Sequence, residues 1–244
     1  MIEEIEAGEA GQEEKDAILY HDINNCANKA ICGMQSGAIC LVDIEAGQTV
    51  AQGPGVHEYQ VWYTSYSSHA ERSGDIVYSA SDDASFKKFD TRVGLTDPVY
   101  TNKRHHQAGV TFVRSMDLMG CASPYPPPHC LVTGSYDCTV AQWDERQMGR
   151  EPVHTISTGG KSVWDIKVHP EAKHWGIASI YDGYLFDING QSRNESHDIN
   201  QLDFSAEQAQ YTGHESICYS FAWTEQSTTA EPIMLTSSFY DNTL

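Results

Sequence analysis

Five segments of this chain repeat one shape, and that repetition limits its fold more than any other feature. They read CGMQSGAICLVD (32–43), YSASDDASFKKFD (78–90), VTGSYDCTVAQWD (132–144), IASIYDGYLFD (177–187) and LTSSFYDNTL (235–244). Each joins a strand of small residues to a second strand through a polar turn containing Asp or its equivalent. The first four close on Asp, at positions 43, 90, 144 and 187. Upstream of the last four stand HEYQVWYTSY (57–66), GVTFVRSMD (109–117), KSVWDIKVHP (161–170) and HESICYSFAW (214–223), which alternate apolar and polar residues over a strand's length. Gly, Pro, Asn and Asp gather between these runs. No segment longer than about ten residues carries a helical period. The pattern predicts an all-β chain: a radial stack of small antiparallel sheets, each burying its faces against its neighbours.

The repeat length is close to the roughly 40 to 45 residues of a WD40 blade, and the third copy ends in Trp143-Asp144, the dipeptide of that family. A WD40 β-propeller is therefore expected. Its blades are tied by an entrance His, a strand Ser or Thr, a turn Asp and a strand Trp. The third copy offers His105 or His106, Thr133 or Ser135, Asp137 and Trp143. The second offers His57, Ser79 or Ser81, Asp83, and Phe89 in place of Trp. The fifth offers His214, Ser237 or Ser238, and Asp241. Buried polar groups must be satisfied, so these residues have a structural task before any chemical one. Residues 1–16 read as an acidic disordered tail and 17–244 as the repeat domain. The repeat domain has room for about five blades, where most WD40 rings have seven. A truncated ring is the expectation, short of an upstream blade or two and of the last residues of the closing blade.

Charge and composition exclude several function classes. Lys and Arg number 15 and Asp and Glu 34, a net charge of −19, which argues against a nucleic-acid or anionic-lipid surface. No run approaches the roughly 18 to 20 apolar residues of a membrane span. The N-terminus lacks the basic and apolar regions of a secretory signal, so a soluble cytoplasmic protein is expected. The seven cysteines are odd in number and never spaced C-x-x-C. They read as small buried hydrophobes in a reducing compartment, with no metal and no cofactor predicted.

Signatures of catalysis are sparse. No G-x-S-x-G elbow is present. His57-Glu58 and His214-Glu215 begin like H-E-x-x-H, but Val61 and Cys218 stand where the second His belongs. Gly160-Lys161-Ser162 falls in a sheet context with Thr155 at the first glycine position, so it is not a phosphate loop. His69, His129, His154, His174 and His197 lie in polar loops and read as solvated. Asp82 is left over beside the turn residue Asp83, and a spare carboxylate on a rim is a candidate general base, although a plain turn role also accounts for it.

A narrower resemblance rests on an ordered set of strings: HEYQVWYTSY, VYSASDDASFKKFDTR, PVYTNKRHHQAGV, LVTGSYDCTVAQWDERQM, GGKSVWDIKVHP and TSSFYDNTL. Over about residues 53–244 the chain resembles the diphthine methylesterase family of diphthamide biosynthesis. That resemblance implies an ester hydrolase that acts on elongation factor 2 carrying methylated diphthine, removing the methyl ester before the final amidation. No settled catalytic set carries over. The candidates are the matched polar residues not absorbed by the blade set: His57, Glu58, Asp82, Arg104, His105, Tyr136 and His169. The rival expectation is a non-catalytic WD40 adaptor that docks partners on its rim.

Overall fold

The computed structural model describes residues 16–68, 74–115, 129–168, 174–179, 185–189, 210–211, 213–223 and 234–238. Four successive sheets of four antiparallel strands, and a fifth with two described strands, follow one another along the chain. The first holds β1 (Ile18–Ile23), β2 (Lys29–Met34), β3 (Ile39–Asp43) and β4 (Gln48–Gly53). The second holds β5 (Val61–Tyr66), β6 (Ile76–Ser81), β7 (Phe86–Asp90) and β8 (Tyr100–Asn102). The third holds β9 (Val110–Ser115), β10 (Cys130–Ser135), β11 (Thr139–Asp144) and β12 (His154–Ser157). The fourth holds β13 (Val163–Val168), β14 (His174–Ser179), β15 (Leu185–Asn189) and β16 (Gln210–Tyr211), and the fifth β17 (Cys218–Trp223) and β18 (Met234–Ser238). The inner strands β1, β5, β9, β13 and β17 adjoin in that order, so they line a common axis. The repeated hairpins of the sequence are the two middle strands of successive blades, and the alternating runs upstream are the inner strands.

Burial between blades holds the stack together. Ile31, Leu41, Val61, Val77 and Phe89 pack between the first two sheets, and Tyr78, Phe86, Phe112, Trp143, Val163 and Ile166 among the second, third and fourth. Two small residues permit this approach. A Cβ on Gly33 would stand 2.7 Å from Val61 Cγ1, and one on Gly134 2.5 Å from Val163 Cγ1. In the second and third blades an arginine two residues on holds the closing Asp of the hairpin. Arg92 grips Asp90 through Nε and Nη2 at 2.9 and 2.6 Å, and Arg146 grips Asp144 with the same two distances. That fork holds the Asp144 carboxyl at about 2.

A buried carboxylate ties the second blade to the third. Glu145, just past β11, accepts hydrogen bonds from Ser67 and Tyr78 at 2.9 Å each, and from Ser115. Asp16, placed at the end of the acidic tail by its sequence, accepts from the Ser36 backbone N–H at 2.9 Å in the β2–β3 turn.

Candidate functional site

The blade sets take the alternatives left open by the sequence and choose among them. In the third blade the Trp143 indole donates to Thr133 Oγ1 at 3.0 Å, Thr133 lies 2.8 Å from His106 Nε2, and His106 Nδ1 lies 3.1 Å from Asp137. His106, not His105, and Thr133, not Ser135, belong to the set. The second blade repeats it with Ser79 2.7 Å from His57 Nε2 and His57 Nδ1 3.0 Å from Asp83. In the fifth blade His214 meets Thr236 at 2.8 Å, which corrects the expected Ser237 or Ser238; Asp241 lies outside the described residues.

Ser79, His57 and Asp83 are connected as a Ser-His-Asp triad is. The connection does not make a hydrolytic site, because the side chain of His57 is 0% exposed and Ser79 is fully buried. No ester reaches that serine. Burial pushes the His57 imidazole below its ordinary value, against the pull of Asp83. Burial works to raise Asp83, but hydrogen bonds from His57, Ser85 and the Glu58 backbone outweigh it and hold the carboxyl well below the usual carboxylate range. His57, the first catalytic candidate, is thereby a structural residue of the second blade.

The other candidates separate. Glu58 donates its backbone N–H to Asp83, and its exposed carboxylate accepts from Lys103 Nζ at 2.7 Å. Arg104 is exposed. His105 lies against the outer part of the third blade, edge-on to Trp143 at 5.4 Å and 3.3 Å from Thr155 Oγ1 on β12. Burial lowers its imidazole, and the neighbouring His106 adds to that. His169 lies outside the described residues.

Asp82 and Tyr136 do come together. They occupy one position in two blades, the residue before the structural Asp of the turn. Each donates its backbone N–H, at 3.0 Å, to the chain entering the inner strand of its own blade: Asp82 to Gln60 O, Tyr136 to Gly109 O. Between them lies Gly109, where a Cβ would collide with Asp82 Oδ1 and stand 3.0 Å from Tyr136 Cδ2. The turn can bring its Asp back to the histidine because the next residue, Ala84 or Cys138, takes φ of 61° or 66°.

Around this pair stand three aromatic residues that the sequence reading passed over. Every inner strand breaks register at its second residue: Leu19, Trp62, Thr111, Trp164 and Tyr219. A bulge re-aims its side chain. Trp62 donates its indole N–H to Asp82 Oδ1 at 3.2 Å and meets Trp164 edge-on at 5.6 Å. Trp164 also stacks on Tyr136 at 6.3 Å and meets Tyr219 at 5.6 Å. Asp82 is exposed and the four aromatic residues are half-buried, so the cluster faces solvent. Further along the inner strands, Asp165 lies 3.1 Å from Lys167, and burial raises its carboxyl despite the pull of Lys167 and Arg114. Among the described residues no three His, Cys, Asp or Glu side chains are arranged to hold a metal ion.

Comparison with known proteins agrees with this architecture. The family model described as WD domain, G-beta repeat matches residues 97–144. The mouse protein named diphthine methyltransferase is 31% identical over 203 residues, covering 80% of this chain and 37% of its own length. The Dictyostelium discoideum diphthine methyltransferase homolog is 28% identical, covering 93% of this chain and 61% of its own. The Saccharomyces cerevisiae diphthine methyltransferase is 26% identical, covering 84% and 51%. The chain thus spans about two fifths to three fifths of the length of these curated relatives. Among solved structures, U3-55K aligns with a TM-score of 0.63 at 15% identity, over 86% of this chain and 56% of that one. The RRP9 WD40 repeats align equally well over 55% of theirs. The chain has the fold of a WD40-repeat β-propeller, and its sequence relatives include proteins named diphthine methyltransferase.

Proposed function

We propose that this chain serves diphthamide biosynthesis by hydrolysing the methyl ester of diphthine on elongation factor 2. The likeness to relatives whose names contain diphthine supports the pathway. The juxtaposition that carries the chemistry is Asp82, exposed, beside the half-buried Tyr136, with Trp62 fixing one carboxylate oxygen. Hydrolysis needs only water as co-reactant. Asp82 takes a proton from the attacking water, the acyl C–O bond breaks, and methanol leaves with a proton while the carboxylate remains. Tyr136 supplies a hydroxyl donor for the oxyanion that develops on the carbonyl oxygen. The relatives are named for methyl transfer, and ester cleavage is the reading that this exposed carboxylate supports best.

The test is methanol release from elongation factor 2 bearing the methyl ester, with loss of one methylene unit from the modified histidine by mass spectrometry. Asp82→Asn is expected to lower turnover by about 10²- to 10⁴-fold with an unchanged melting temperature. A folded chain that binds the factor and releases no methanol would overturn hydrolysis and leave the adaptor reading.

A further inference from the structure

The first blade carries a different chemistry, away from the aromatic cluster. Ile31 and Leu41 pack toward the second blade, and strand residues alternate sides, so their neighbours Cys32 and Cys40 share the opposite face. There they are direct partners across the β2–β3 ladder. Opposed residues of an antiparallel pair hold their Cα atoms about 4.5 or 5.5 Å apart, and both separations fall within the roughly 4.4 to 6.8 Å that a disulfide spans. The same ladder sets His21 beside Cys32 and Gln52 beside Cys40, completing a row across all four strands. Both outer members are exposed, Cys40 is half-buried and Cys32 is 4% exposed. A small oxidant therefore meets Cys40 first, with Cys32 behind it. The Cys32 S–H donates toward Cys40 and pulls that thiol down to about 7, although burial and the Asp16 charge oppose it. The same hydrogen bond, with burial, pushes Cys32 up. Cys40 is thus suited to supply the thiolate, which is the nucleophile, and Cys32 the second sulfur.

We propose that Cys32 and Cys40 form a redox-sensitive dithiol that hydroperoxides convert to a disulfide across the β2–β3 hairpin. The Cys40 thiolate attacks one peroxide oxygen, the O–O bond breaks, and the departing oxygen takes a proton and leaves as water or an alcohol. Cys40 is then a sulfenic acid. Cys32 gives up its proton, attacks the Cys40 sulfur and expels the hydroxyl as water. The two thiols lose two hydrogens and two electrons, and the peroxide takes up both. The hairpin is already docked when the bridge closes: Gly37 in its turn accepts the His57 backbone N–H at 3.0 Å, and Asp16 accepts that of Ser36 at 2.9 Å. The bridge therefore forms within the folded blade, and a dithiol reductant reopens it.

In the test, the reduced, folded chain is treated with hydrogen peroxide, its remaining thiols are capped with N-ethylmaleimide, and its tryptic peptides are weighed. Trypsin cuts after Lys29 and Arg72 and nowhere between, so one peptide holds this pair and no other cysteine. That peptide is expected to lose two hydrogens, to take up no maleimide, and to recover both capping sites after dithiothreitol. Cys32→Ser should leave Cys40 as a sulfenic acid that dimedone traps. Cys40→Ser should slow oxidation of Cys32 by at least about tenfold, because a buried, protonated thiol is a poor nucleophile. The parent's peptide decides the matter even where a variant fails to fold. The proposal is overturned by two maleimides on that peptide at a peroxide level that oxidises the exposed Cys26. It is equally overturned by a bridge from either residue to another cysteine or to a second copy, or by oxidation in the parent that stops at the sulfenic acid.

Discussion

His57 and His106 sit in the same hydrogen-bonded geometry, and one indole separates their surroundings. Trp143 completes the third blade by donating to Thr133, whereas Phe89 at the matching place in the second blade has no N–H to give Ser79. Both histidines are nevertheless buried beside an ionised aspartate, and that has a consequence for acid stability. Burial lowers the His57 imidazole in the folded chain, so the unfolded chain binds more protons as pH falls through its ordinary value of about 6.5. The stability this residue contributes is full above that value and declines below it. Asp83 and Asp137, both held low, add a second decline beneath about pH 4, where their unfolded carboxyls protonate. Denaturant midpoints should therefore fall as pH is lowered from 7 to 5, and fall more steeply below 4. His57→Gln should flatten the upper part of the profile. A midpoint unchanged between pH 7 and 5 in the parent would show that no buried neutral histidine contributes.

At the scale of elements, the sequence showed most of what repeats and little of what is irregular. Middle hairpins were legible because small residues, a turn Asp and a closing Asp recur together, and each has a physical reason: room for the next blade, the histidine, and, in the second and third blades, the Arg fork. The outer strands β4, β8, β12 and β16 were not read out, because an edge strand pairs on one side only and carries a mixed pattern, as in QTVAQG. β1 escaped for a similar reason, since ILYHDI follows directly on the acidic segment. Trp62, Trp164 and Tyr219 were hidden by the bulges, which break the two-residue period that sequence patterning relies on. Asp82 and Tyr136 were legible as leftovers beside a turn Asp, but their proximity needed the fold. The closeness of the blades is testable at Gly134 on β10. An added methyl group there meets Val163 Cγ1 at 2.5 Å, Val163 Cβ at 3.2 Å and Ile166 Cδ1 at 3.4 Å. Gly134→Ala should cost about 1 to 3 kcal/mol by overpacking, measured as a lowered denaturant midpoint with an unchanged slope. An unaltered midpoint would mean that the third and fourth blades stand further apart than described.

For the whole molecule, the governing quantity is the net charge of −19. A propeller with that excess repels anions over its surface, and Asp82 adds an exposed carboxylate of the same sign beside the aromatic cluster. Long-range fields set how fast partners meet, whereas contacts made after docking set how long they stay. A partner that presents a basic surface is drawn by that field, so its approach is the step that the field accelerates. Salt shortens the reach of that field from about 30 Å at 0.01 M to about 8 Å at 0.15 M. Association of this chain with elongation factor 2 carrying methylated diphthine should accordingly slow by about tenfold or more between those concentrations. Dissociation should change far less, because contacts made after docking act at short distance. Stopped-flow association and dissociation rates across a salt series separate the two effects. Asp82→Asn should leave the salt slope of the on-rate almost intact, since it removes one charge from many. An on-rate indifferent to salt would show that the acidic surface plays no part in finding this partner.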